Sequence, residues 1–567
     1  AAPIPITARG DSKITPVREE SWHRGFSELR LSPDGRKIAF VARGQVFVDF
    51  ADKETDRELR QRPSFRVTSS GARESQIAWT PDSRSLIYVS DRNGEDEIYR
   101  YDFTARRETR LTSDLTPKLL PRVSPDGRWV AYISGLDSLR LISLDGGAPR
   151  ELCRARFVVA ADLAWSPDSR WLAFLAQDER YFSNVYVAPV EGGEPRQITF
   201  LSNLEGGDLL WAPNGQFLVF TTEQYRAEAQ VVRVDLRPPA PLFREAEFEK
   251  LFEERDDRRP GDREPLRAGD EAPDEGEPAR ERPAELVAAA PPEAEKGPAP
   301  AEQGKEPAER AEGERPGEVG QERPAEPAAA PSPPPAPPSI DFEGIERRLR
   351  FLTPVQMNAS AAAISPDSKD LLMLATVAGK VNIWALPLDE PRADQPPRQL
   401  TASESGKHAV QFTPDGRAFY YLDDGTVTVR RFPGGGDPLR VPVRGELTVD
   451  FHREKRQIFG EAWRALRDSF YDPTFRGQDW AALRDRFAPL VAGAQTVEEL
   501  HTVINLMVGE LRASHLGSGF SAWMGGDGYT GILLDPVELR SSGRLRVLRV
   551  IPDSPAARLH RHPAPPG

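Results

Sequence analysis

One short segment recurs seven times along the chain: Ser32-Pro33-Asp34-Gly35, Thr80-Pro81-Asp82-Ser83, Ser124-Pro125-Asp126-Gly127, Ser166-Pro167-Asp168-Ser169, Ala212-Pro213-Asn214-Gly215, Ser365-Pro366-Asp367-Ser368 and Thr413-Pro414-Asp415-Gly416. Proline presets φ for the second position of a tight turn, and Asp or Asn tolerates the third. Alternating apolar runs follow, as in Arg36-Lys37-Ile38-Ala39-Phe40 and Arg170-Trp171-Leu172-Ala173-Phe174, so each copy reads as the turn of a hairpin. A third strand comes next, for example Glu97–Tyr101. A fourth ends in Arg/Gln-Leu/Ile-Thr, as in Arg110-Leu111-Thr112, Gln197-Ile198-Thr199 and Gln399-Leu400-Thr401. Four short strands in roughly 40–45 residues make one propeller blade. A single blade cannot bury both faces of its sheet, whereas a ring of blades can. The pattern therefore predicts a mainly β chain whose residues 21–451 form a seven-bladed β-propeller, with 1–20 as a connector.

The prolines are 48, 44, 42, 46, 153 and 48 residues apart, so the fifth unit holds about 105 extra residues, roughly 238–340. These are dominated by Pro, Glu, Ala and Arg and end in Pro333-Pro334-Pro335. Such a composition cannot bury enough apolar area to offset ordering entropy, and it predicts a disordered loop. Leu349-Arg350-Phe351-Leu352-Thr353 then has the fourth-strand ending, so the loop interrupts blade five and does not separate two domains. Its flanks, 245–254 and 340–349, have the pattern of helical or rim-clamping segments.

After Phe451 the apolar period changes to that of a helix, with Ile458, Phe459, Trp463, Leu466 and Phe470 on one face and Tyr471-Asp472-Pro473 as the break. Asp479-Trp480 opens a second helix with Leu483, Phe487 and Leu490 on one face. Thr496-Val497-Glu498-Glu499 is a capping-box pattern before a third, which runs to about Leu511. Residues 452–520 thus read as a small helical domain. Its end carries Ser514-His515, and a histidine whose tautomer is held by a neighbouring hydroxyl can act as a general base near neutral pH. A Ser-His pair alone is more often incidental. The Gly525–Ile532 stretch could offer backbone N–H groups, at Gly528, Gly531 and Ile532, to a peptide carboxylate, or could be an ordinary hairpin turn. Residues 544–551 alternate as a strand, and the pattern lapses after Leu559.

Composition excludes several function classes. A net charge of −13 without a basic stripe argues against nucleic acid as partner. No apolar run approaches membrane-spanning length, and one cysteine, Cys153, allows no internal disulfide framework. Nothing in the sequence calls for a metal or an organic cofactor. Ala1-Ala2-Pro3 suits either a processed exported chain or a cut fragment, so a cytoplasmic location is expected, with the periplasm as alternative.

The turn repeats resemble the WD40-like (PD40) repeats of TolB-type and prolyl-oligopeptidase-type propellers. The helical motifs are more specific. Phe459-x-x-Ala462-Trp463-Arg464, Arg467-Asp468-Ser469-Phe470-Tyr471-Asp472-Pro473, Arg476-Gly477-x-Asp479-Trp480 and Gly509-Glu510-Leu511-x-x-Ser514-His515 together resemble the core of tricorn protease and its bacterial homologues. Arg43-Gly44-Gln45-Val46-Phe47 is similar to the opening blade of that family's seven-bladed propeller, and 521–567 to the start of its PDZ domain. The resemblance implies a tail-specific (S41) serine peptidase that trims oligopeptides and assembles as a homo-oligomer, up to a hexamer, with the propeller as substrate gate. It implies His515 as general base and Ser514 as the residue that orients it. In the family the nucleophilic serine follows the PDZ domain, so none is expected among these residues, and the chain is expected to be inactive alone and truncated at both ends. Ser518 and Ser521 stand too close to His515 in sequence for a triad geometry. The competing expectation is a non-enzymatic propeller that binds peptides or proteins.

Overall fold

The computed structural model describes residues 17–53, 57–114, 116–135, 137–154, 158–203, 205–225, 228–238, 340–354, 357–389, 395–513, 516–519, 532–534 and 547–550. All belong to one compact unit. Seven antiparallel four-stranded sheets follow one another in chain order. Their first strands touch all the way round, from Glu28–Leu31 through Glu74–Trp79 and Lys118–Val123 to Lys407–Phe412, which meets Glu28–Leu31 again. This is a closed seven-bladed propeller with those strands innermost, as the repeat predicts. The core lies between blades. In blade one, Phe40 and Phe47 pack with Tyr420 and Leu422 of blade seven, while Ala39 and Val41 on the opposite face pack with Ile77 and Tyr88 of blade two. Successive residues of a strand point to opposite faces, and a ring buries both.

The recurrent turn has a common hydrogen-bond plan. In the first copy the Ser32 hydroxyl donates to Asp34 Oδ1 at 2.5 Å and accepts from the Lys37 N–H at 2.9 Å. Asp34 Oδ1 also accepts from the Arg36 N–H at 3.0 Å. The fourth turn residue is left-handed in every copy, with φ from 58° to 73°. Glycine takes that conformation without strain, yet residues 83, 169 and 368 are serines. Each of these serines has a partner in the preceding blade: the N–H groups of Asp34, Asp126 and Asn214 donate to Ser83, Ser169 and Ser368 Oγ, all at 3.0 Å. Glycine and serine therefore alternate around the ring, and because seven is odd, two glycine turns meet where blade seven adjoins blade one. There Gly35 lies against Pro414, 3.1 Å from where a Cβ would sit.

The Arg/Gln-Leu/Ile-Thr ending also has a local cause. Thr68, Thr112, Thr199, Thr353 and Thr401 each accept, through Oγ1, an N–H of the third strand at 2.9–3.0 Å. Arg110 and Gln197 fold back to donate to the carbonyls of Thr112 and Thr199. In blade five the fourth strand is Leu349–Phe351, pairing with Val232–Val234 across the long insertion. Residues 239–339, including the flank at 245–254, lie outside the described residues. The other flank holds a single turn, Ile345–Arg348, with Ile345 buried and the Phe342 ring 6.0 Å from that of Trp171.

Every blade is made of strands consecutive in the chain, so no strand is exchanged between first and last blade. Closure comes instead from a clasp. Val17–Trp22 pairs antiparallel with Gly445–Asp450, from Val17 opposite Asp450 to Trp22 opposite Gly445. Alongside it, Gln411 of blade seven accepts from the Leu31 N–H at 2.8 Å and donates to the Leu29 carbonyl at 3.1 Å. The Phe26 N–H donates to the Gly425 carbonyl at 3.0 Å. A Cβ on Gly425 would lie 2.6 Å from Gly25 Cα, so only glycine allows this approach.

Asp450 ends the clasp and caps the first helix, Phe451–Ser469. The second spans Trp480–Gly493 with Asp479 as cap, and the third Val497–Gly509 with Thr496 as cap. The Glu499 N–H donates to Thr496 Oγ1 at 3.1 Å, and its carboxylate accepts from the N–H of Gln495, one residue before the cap, at 2.6 Å. One expectation changes: Leu490 is 51% exposed, and Val491, one turn beyond Phe487, is buried in its place. Beyond 519 the described residues are two short paired strands, Ile532–Leu534 and Val547–Val550.

Two tests follow from the turns. Ser169→Ala leaves the Asp126 N–H without its acceptor and keeps the left-handed backbone, so it should cost about 1–2 kcal/mol. Ser169→Gly loses the same bond but relieves the strain, so urea midpoints should rank Ser above Gly above Ala. Burial opposes ionisation of Asp34, but hydrogen bonds from Lys37, Ser32 and Arg36 outweigh it and hold its carboxyl at about 2. A lowered folded pKa contributes stability above the unfolded value that is lost as pH falls through the folded one. Asp34→Asn, the residue already used at Asn214, should keep the fold and flatten the loss of stability between about pH 4 and 2 in acid titration by circular dichroism.

Candidate functional site

The first helix is held on the propeller by side chains placed by blade turns. Arg43 and Gly44 are the two central residues of the hairpin in blade one, both left-handed (φ 47° and 69°), which is the two-residue turn suited to strand twist. That turn presents Arg43, whose Nε and Nη2 donate to the two Glu454 oxygens, each at 2.7 Å. Blade two supplies the rest. Glu95 accepts from Arg467 at 2.6 and 2.7 Å. Asp91, almost wholly buried, accepts from Gln457 and Arg464. Hydrogen bonds to Glu95 and Asp468 push the Arg467 guanidinium above its ordinary pKa. Such two-point charge-assisted contacts fix orientation as well as position.

Between helix and propeller lies a cavity of about 690 Å³. Blades one and two form one wall with Glu28, Arg43 and Glu74, and the clasp and first helix form the other with Val449, Arg453 and Glu461. Burial pushes the carboxyls of Glu74 and Glu461 up. Glu74 is nevertheless fully partnered, accepting from Gln45, Ser90 and Arg92 at 2.9, 3.0 and 3.2 Å. The cavity is thus a recess of mixed polar and apolar lining beside the innermost strands of two blades.

The three helices share a core of Phe459, Trp480, Leu483, Phe487, Ile504 and Leu511. Trp463 and Trp480 exchange indole-to-carbonyl hydrogen bonds at 2.9 and 3.1 Å. Lys455, almost wholly buried, donates to the Ala492 and Ala494 carbonyls at 2.6 and 2.7 Å and so caps the second helix's end. The segment Tyr471–Asp479 also has a definite task. Asp472 accepts from the Thr474 and Arg476 N–H groups, both at 2.9 Å, and Phe475 stacks on Trp480 at 5.4 Å. The resulting turn carries Arg476, which donates to the Arg512 carbonyl at 2.6 Å. The chain beyond 511 is therefore held at both sides of the Ser-His motif: by buried Leu511 and Arg476 before it, and after it by Asn505, which donates to the Ser518 carbonyl at 2.8 Å and accepts from its N–H at 2.5 Å.

Ser514 and His515 themselves lie outside the described residues, as do Gly528, Gly531 and Ser521. Ile532 opens a strand paired with Val550, and its side chain is outside the description. A second serine–histidine contact was not foreseen: His501 Nδ1 lies 3.0 Å from Ser518 Oγ. It joins the third helix to the returning chain, and seventeen residues of separation hid it from any motif. Burial pushes the Cys153 thiol up to about 12, which disfavours the thiolate that a nucleophile needs. Among the described residues no group of three or more His, Cys, Asp and Glu side chains is placed to hold a metal ion, and no helix is long and apolar enough to cross a membrane.

Comparison with known proteins bears on this arrangement. Residues 451–509, the three helices, match the tricorn protease C1 domain. The crystal structure of the tricorn protease superposes with a TM-score of 0.56 at 15% identity over 90% of this chain, which spans 43% of that chain. The Tol-Pal system protein TolB of Ruthia magnifica subsp. Calyptogena magnifica is 32% identical over 87 residues, 15% of this chain and 19% of TolB. A TolB homologue of Chlorobium chlorochromatii (strain CaD3) is 32% identical over 106 residues, 18% of this chain and 22% of the homologue. The chain thus spans about a fifth of the TolB relatives and less than half of tricorn protease. A tricorn-like propeller joined to a C1-type helical domain is the class that these features define. Residues 451–509 are a helical domain of the tricorn C1 type, and the wider match to tricorn protease is one of fold.

The docking of that segment can be measured. A double-mutant cycle on Arg467→Ala and Glu95→Ala should return a coupling of about 1–3 kcal/mol, because both groups are largely shielded and bonded at two points. Additive effects would mean that the contact does not orient the helix. Lys455→Met leaves two helix-end carbonyls unpaired and should destabilise the bundle by about 1–3 kcal/mol, read from thermal unfolding.

Proposed function

We propose that the chain is the propeller and first helical part of a tricorn-type serine peptidase that cleaves oligopeptides, with the propeller admitting substrate towards the helical domain. The observation that carries this reading is the match of 451–509 to the tricorn C1 domain, docked by Arg43, Asp91 and Glu95 onto the hairpin turns between the second and third strands of blades one and two. In this reading His515 is the general base and Ser514 orients its ring. Support comes from the flanks: Leu511, Arg476 and Asn505 hold the chain on either side of the motif, as a base that must keep its geometry requires. The nucleophile belongs to a later part of the peptidase core, and Gly528, Gly531 and Ile532 receive the peptide carboxylate. The assembly is a homo-oligomer.

In a peptidase that joins this chain to the nucleophile-bearing half, His515→Ala should lower kcat by at least about 10³-fold on fluorogenic oligopeptides. Ser514→Ala should lower kcat with little change in KM. Unchanged hydrolysis in His515→Ala sinks the assignment. A fluorophosphonate probe should leave these 567 residues unlabelled, and labelling of Ser518 would move the nucleophile next to His501.

A further inference from the structure

The residue two places before each recurrent turn occupies one equivalent position on every innermost strand: Arg30, Ala78, Arg122, Ala164, Leu210, Ala363 and Gln411. Two of the seven are arginines, on blades one and three, and the blade between them carries the small Ala78. Arg122 is partly spoken for, since its Nη2 donates to Asp162 Oδ1 of blade four at 2.8 Å. Arg30 is not. Among the described residues its guanidinium forms no ion pair, and its hydrogen bond is one long contact to its neighbour's carbonyl, Leu29, at 3.2 Å. The carboxylate on its own strand, Glu28, is committed elsewhere, accepting from the Gln76 and Ile77 N–H groups at 2.8 and 3.0 Å.

Both arginine backbones are pinned. The Trp79 indole donates to the Arg30 carbonyl and the Trp165 indole to the Arg122 carbonyl, each at 3.0 Å. Burial and the nearby Arg122 charge both press the Arg30 guanidinium below its ordinary pKa, and Glu28 and Asp162 oppose them. Groups on blades one, three and four sense one another because their strands face a common interior. A guanidinium stays protonated under such conditions, so its charge is held at a cost that an incoming anion would relieve.

We propose that Arg30 and Arg122 form a carboxylate-binding site at the innermost strands of the propeller, which takes the C-terminal or an acidic side-chain carboxylate of a peptide. A planar carboxylate suits the unused fork of Arg30, with Arg122 as second cation across Ala78. Glu28 borders both this position and the cavity beneath the first helix, so a peptide held here would lie next to that recess. The peptide as ligand rests on the gate reading above, whereas the carboxylate site does not.

Phenylglyoxal, which modifies accessible arginines, tests the two separately on the full chain, with the Arg30 adduct quantified by mass spectrometry. Succinate should slow Arg30 modification severalfold, and so should an N-acetylated oligopeptide with a free C-terminus. Its C-terminally amidated form, without acidic residues, should not, and an amidated peptide with one internal glutamate separates the two carboxylate sources. Arg122→Gln should lose the protection and Arg122→Lys retain part of it, with near-UV circular dichroism confirming that both fold. Protection by succinate with none by any peptide upholds the carboxylate site and removes the peptide gate. An Arg30 that phenylglyoxal does not reach, or that neither succinate nor free-acid peptide protects, overturns the proposal.

Discussion

Everything in this structure depends on the pairing of Val17–Trp22 with Gly445–Asp450. A propeller whose blades are each built from consecutive strands has no covalent or sheet continuity between its last blade and its first. Side-chain packing between Phe40, Phe47, Tyr420 and Leu422 closes that seam on one level. The antiparallel clasp closes it on another, joining segments more than four hundred residues apart. Loop closure over such a length costs entropy that grows only slowly with the number of residues. A long insertion in blade five is tolerable for the same reason, since it burdens one hairpin and leaves the ring intact.

The clasp also transmits order to the helical domain. Its last residue, Asp450, is the cap of the first helix, so strand and helix are continuous, with no linker between them. The helix then runs over blades one and two, where Arg43, Asp91 and Glu95 fix it. The second helix is fixed in turn by the Trp463–Trp480 exchange and by Lys455, and the third by the apolar core it shares with them. The chain that flanks Ser514 and His515 is the end of this series. The described residues on either side of the motif, 511–513 and 516–519, therefore owe their place to a sheet edge far from them in sequence, through the helices between.

Legibility varied with the range of the interactions involved. The blades were readable because each rests on local rules: Pro presets a turn, strands alternate, and the Thr at the fourth strand's end satisfies a third-strand N–H one hairpin away. The interruption of blade five was readable from spacing, and Leu349–Phe351 takes up the paired place that its Thr353 ending suggests. Helix starts at Asp479 and Thr496 were equally local. Leu490 was misplaced because helical spacing admits either of two adjacent apolar residues, and the neighbouring helices choose Val491. The alternation of Gly and Ser at the fourth turn position was visible as letters, but its meaning was not, because the serine's partner belongs to another blade.

By itself the sequence determined the number of blades, the place of the insertion, the three helices and the Ser-His motif, all of which follow from periodicity and turn chemistry within a few tens of residues. Only the tertiary structure decided how the ring closes, which charges hold the helical domain on it, and that Arg476 and Asn505 support the chain around the motif. It alone set the first strands that carry Arg30 and Arg122 on either side of the strand of Ala78, with no ion pair to Arg30 among the described residues. The physical reason is the same in each case. Ion pairs and hydrogen bonds between distant segments need complementary geometry and carry no periodic signal, so they become visible only once the ring has brought the segments together.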